Sequence, residues 1–98
     1  MPDKAASAHA ASPLPEVSFS TFIVSLASSA LVQLGEVPDP ASGARSLDLP
    51  VARHSIDVLE MLRQKTVGNL NADESQLLES LIYELRLKYV LKADSRPA

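Results

Sequence analysis

Three segments of this 98-residue chain carry apolar residues at the spacing of a helix face, and this periodicity constrains the fold more than any other feature. In the first segment, apolar residues recur three and four positions apart from Phe19 to Leu34, which stacks their side chains on one side of an α-helix. Ser18 or Ser20 can cap its start, and Gly35 is the residue type that commonly ends a helix. The first helix is therefore predicted over 19–34.

Two further helices follow and form a predicted hairpin. The second begins near Pro50, with Asp48 as a candidate cap, and runs to about Thr66. Proline is tolerated in the first turn because its missing N–H would have no partner there. The third covers about 72–92, after a capping-box-like start. Because only residues 68–70 connect them, we expect the second and third helices to pack antiparallel in an all-α, three-helix domain.

The third helix carries apolar residues on two opposite faces. Its main stripe predicts the core face and consists of Leu77, Leu78, Leu81, Ile82, Leu85 and Tyr89. Tyr83, Leu87 and Val90 form a second stripe nearly opposite the first. A three-helix monomer buries one of these faces more easily than both, so we expect the second stripe to meet another subunit. The alternative is that the first helix covers it within the monomer.

The foldable part of the chain is small. Residues 1–16 are rich in Ala, Ser and Pro and predict a disordered tail, and residues 93–98 predict a disordered end, which leaves 17–92 as the helical domain. The chain has no cysteine, so no disulfide can stabilise so small a core, and a reducing cytoplasm is the expected location. These features predict a homo-oligomer, with a dimer favoured. The predicted interface comprises Phe19, Phe22, Leu26, Tyr83, Leu87 and Val90.

A long loop over 36–49 separates the first two helices. Pro38 and Pro40 exclude helix there, and the Ser42-Gly43 pair favours a turn. Loops of this length without secondary structure are uncommon in compact domains and are often functional. Two interpretations stay open: a crossover between helices, or a lid over a small-molecule pocket.

Charge and motif content argue against several functions. The formal net charge is −3, from 12 Asp and Glu against 9 Lys and Arg, which disfavours nucleic-acid binding. Of the two histidines, His9 lies in the tail and His54 has only Asp57 at ligand spacing, so no metal site is expected. The three glycines stand apart and form no phosphate-binding loop. We therefore expect no cofactor, no catalytic residues and no enzymatic activity.

The uncharged stretch from Val17 to Gly35 approaches the length that spans a bilayer, about 20 residues. It contains many serines, and its flanks are acidic rather than basic, which argues against a membrane helix. Its position behind a proline-containing tail also argues against a signal peptide. Peripheral membrane attachment through the first helix stays open as an alternative.

Several motifs in order resemble those of a known family. They are Leu34-Gly35 followed by Pro38, Ala52-x-x-x-Ile56-Asp57, Lys65-Thr66-x-Gly68-Asn69-Leu70 and Tyr83-Glu84-Leu85-Arg86. Over about 17–90 the chain resembles short bacterial proteins of a domain of unknown function, family 1844. The resemblance implies a helical bacterial protein and carries no reaction or cofactor.

Polar residues that match these motifs suggest one candidate polar surface site, formed by Asp57, Lys65, Thr66 and Asn69. Taken together, the residues predict a small interaction module that self-associates and has no catalytic activity. An unidentified protein partner, small-ligand binding beneath the long loop and peripheral membrane association are the alternatives.

Overall fold

The computed structural model describes residues 14–95, so residues 1–13 of the tail predicted over 1–16, and the last residues, 96–98, lie outside the described part of the chain. Three α-helices follow in order: α1 (Phe19–Gln33), α2 (Leu49–Lys65) and α3 (Ala72–Asp94). Each packs against the other two, and residues 14–95 contain no strand. The predicted all-α, three-helix fold is confirmed.

Every helix begins at a polar side chain that accepts a hydrogen bond from an otherwise unpaired backbone N–H. Ser18 and Asp48 each accept from the N–H three residues later, at 3.0 and 3.2 Å. Asn71 does the same for Glu74 at 2.8 Å, and the Glu74 carboxylate accepts from the Asn71 N–H at 3.0 Å. This reciprocal pair is the capping box that the sequence predicts for α3.

Glycines stand at the ends of α1 and α2 in backbone conformations that side chains disfavour. Gly35 has φ +74°, and a Cβ placed there would lie 3.1 Å from the carbonyl oxygen of Ser46. Gly68 has φ +85° in the short turn between α2 and α3, with open space around it. Because glycine adopts positive φ without a steric penalty, these positions end the helices where predicted.

The far end of α3 differs from the prediction. The helix continues to Asp94, two residues past the expected end at Lys92, and Ala93 packs against the core. Ala93 follows Tyr89 by four positions, so it extends the same helix face. The contact of this partly buried side chain with the core accounts for the continuation of α3 past Lys92.

All three helices contribute to one hydrophobic core, and the described residues contain no buried polar or charged residue. The main stripe of α3 supplies three of its buried members. The buried core residues are Ile23, Ala27, Ala30, Leu34, Leu49, Ala52, Ile56, Leu59, Leu78, Ile82 and Leu85.

The direction of the helices follows from contacts at their ends. The Asp48 N–H donates to the Gln33 carbonyl at 2.8 Å, which places the start of α2 beside the end of α1. Lys92 Nζ lies 3.4 Å from Glu36 Oε2, so α3 ends near the same point. Helix α2 is therefore antiparallel to both neighbours, while α1 and α3 are parallel. The predicted α2–α3 hairpin is confirmed. The loop between Glu36 and Asp48 begins and ends beside the last turn of α1.

Candidate functional site

The second stripe of α3 is exposed to solvent in the described part of the chain. Tyr83 is 70% exposed, Leu87 47%, Val90 50% and the adjacent Leu91 59%. Helix α1 does not cover these residues, so the alternative of burial within the monomer is wrong for the described part of the chain. Contiguous exposed apolar patches of about 300–600 Å² are the largest that typical monomers show, and they are often functional.

The packing of α3 explains why this stripe stays exposed. Ile82 and Leu85 point into the core, Arg86 faces α2, and Lys92 lies on the side of α1. At about 100° per residue, Leu87 then points away from both neighbouring helices, whereas Tyr83 and Val90 lie towards the α2 side of α3. A bundle of three helices covers only part of the circumference of each helix, so an apolar stripe on the outer side of α3 has no intramolecular partner.

The other predicted interface residues lie on α1 and do not form one surface with the α3 stripe. Phe19 and Leu26 are partly buried and pack against the core, whereas Phe22 is 50% exposed. Phe22 lies on the same edge of α1 as Gln33, whose side-chain oxygen accepts a 2.7 Å hydrogen bond from the Ser55 hydroxyl of α2. Phe22 therefore lies along the α1–α2 boundary, away from the outer face of α3.

The four residues of the candidate polar surface site do not converge. Thr66 donates its hydroxyl to the Leu62 carbonyl at 2.7 Å, a contact that ends α2. The side-chain amide of Asn69 donates a long, 3.5 Å hydrogen bond to the Val67 carbonyl within the same turn, and Lys65 is exposed at the end of α2. Asp57 lies about 13 Å before Thr66 along the helix axis, at 1.5 Å per residue. The structure places these residues in separate local roles.

Asp57 instead belongs to an ion-pair network between α2 and α3 that the sequence analysis missed. Arg86 Nη2 of α3 lies 3.8 Å from Asp57 Oδ1 and 3.7 Å from Glu60 Oε1. Arg53 Nε lies 4.0 Å from Asp57 Oδ2, one helical turn away. The sequence does show charged residues three and four positions apart on α2, which predicts ion pairs within that helix. It does not show that Arg86 of α3 approaches them, because this contact depends on how the two helices pack.

Glu60 and Arg63 form the closest ion pair in this network. Arg63 Nε donates to Glu60 Oε2 at 3.1 Å. The hydrogen bond from Arg63 lowers the pKa of Glu60 below its usual range, and the same contact raises the pKa of Arg63. The pair is solvent-accessible, so water and salt screen the attraction and limit its contribution to stability.

Shallow, open depressions flank this network and the loop. One, of about 210 Å³, is lined by Arg53, Ile56, Arg86, Tyr89 and Val90, and a second, of about 270 Å³, by Glu60, Arg63, Glu79, Ile82, Tyr83 and Arg86. A third, of about 300 Å³, lies beside the long loop and is lined by Ser28, Ser29, Val32, Gln33, Asp39 and Pro40. None of these three encloses a ligand as a small-molecule site usually does.

Neither a metal cluster nor a bilayer-spanning segment is found over 14–95. No three side chains of the His, Cys, Asp or Glu type come together there as a set of metal ligands, and His54 is exposed on α2. None of the three helices combines the length and the apolar character that crossing a bilayer requires.

Comparisons with known proteins bear on family membership alone. The chain matches no curated protein and no solved structure. A family model described as Domain of unknown function (DUF1844) matches residues 16–91, which include all of α1 and α2 and α3 as far as Leu91. The chain therefore belongs to the DUF1844 family.

Proposed function

We propose that this protein is a helical interaction module without catalytic activity that forms a homodimer through the outer face of α3. The observation that carries the proposal is the exposure of Tyr83, Leu87 and Val90 on a helix whose opposite face is already the core. Burying such a stripe against a second copy removes apolar surface from water at about 25 cal/mol per Å².

Two further observations support a binding role rather than catalysis. The charged residues of the α2–α3 network contact one another at the surface, in the arrangement of a solvated helical face. The core is small, and chains of about 70–80 residues without disulfides often depend on a partner subunit. The family resemblance and the cysteine-free composition support a bacterial, cytoplasmic setting as part of the same proposal.

Analytical ultracentrifugation of the full chain tests this proposal. We expect a concentration-dependent species of twice the chain mass at micromolar protein. The double substitution Leu87→Glu with Val90→Lys introduces charges into the stripe and should yield a helical monomer. A strict monomer for the unmodified chain at concentrations up to the hundred-micromolar range would refute the proposal.

Met61 offers a matched control for the charge substitution. It is 45% exposed, close to the 47% of Leu87, and it lies on the outer side of α2 rather than on α3. Met61→Glu should therefore leave the dimer intact, while Leu87→Glu alone should weaken it by at least tenfold. If both substitutions dissociate the dimer equally, the α3 stripe is not the interface.

The alternatives have weaker support. The depression beside the long loop is open and bordered by serines, so it offers a small ligand little apolar enclosure. Helix α1 carries exposed Phe22 and Val24 and no charge, which is the feature that favours peripheral membrane contact. Co-sedimentation with anionic lipid vesicles tests that alternative directly, and Phe22→Ser should abolish any binding through α1.

A further inference from the structure

We draw no further inference here: the strongest candidate, the exposed apolar stripe of α3 formed by Tyr83, Leu87 and Val90 together with the shallow depressions that it borders between α2 and α3, carries nothing beyond the proposed function, because nothing in the described part of the chain shows what covers it.

Discussion

Truncation of Leu59 to alanine tests whether the three helices share the core described above. Leu59 is fully buried near the middle of α2. Leu→Ala substitutions at such sites cost about 2–5 kcal/mol, because they lose transfer free energy and leave a cavity. A domain of this size has a total stability of about 4–11 kcal/mol, from about 0.05–0.15 kcal/mol per residue. The variant should therefore lose a large fraction of its free energy of unfolding.

Met61→Ala is the matched control, since Met61 lies on the same helix and is 45% exposed. Its truncation should cost less than about 1 kcal/mol, as surface substitutions usually do. Both variants should be compared by urea unfolding, followed by the circular dichroism of the helices. With a denaturant slope near 1 kcal/mol per molar, the Leu59→Ala midpoint should fall by about 2 M or more.

Self-association would raise apparent stability through mass action, so both substitutions should be made in the Leu87→Glu background. Any difference between them then reports on the monomer core alone. If Leu59→Ala and Met61→Ala unfold at the same urea concentration, Leu59 does not occupy the core, and the packing of α2 against its neighbours is incorrect.

Three further predictions concern local features. Asn71→Ala should lower the free energy of unfolding by about 1 kcal/mol through loss of the α3 cap, whereas Asn69→Ala should have little effect. Gly35→Ala should be more destabilising than Gly43→Ala in urea unfolding, because both have positive φ but only the first would bring a Cβ against a backbone carbonyl. The pKa of Glu60 is lowered from 4.5, so the stabilisation that it provides is present above that pH and is lost as the pH falls through the lowered pKa. The stability difference between the native chain and Glu60→Gln should therefore shrink between pH 7 and pH 3.

Features that depend on a few consecutive residues were predicted well. The caps Ser18, Asp48 and Asn71 all accept the expected backbone hydrogen bonds, because a cap needs only its own side chain and the next turn. The end of α3 was predicted less well, since the burial of Ala93 depends on its contact with the assembled core.

The candidate sites show the same division. The second stripe of α3 could be identified from its spacing, and its exposure agrees with the expectation that α1 would not cover it. The sequence pattern grouped Phe19 and Leu26 with that stripe. It could not show that both pack against the core, because this contact depends on the tertiary structure. The α2–α3 ion-pair network was missed because the partner of Arg86 is nearly thirty residues away in the sequence.

The helical class, the helix starts and the two-sided apolar character of α3 thus follow from residue order, because helix periodicity and capping act over distances of a few residues. Which apolar faces meet, and which stay exposed, depends on how three helices divide a limited core among them. That division directs one stripe of α3 inward and leaves Tyr83, Leu87 and Val90 facing solvent. The stripe can be identified from the sequence, but its exposure, on which the proposed self-association rests, is decided only by the packing of the three helices.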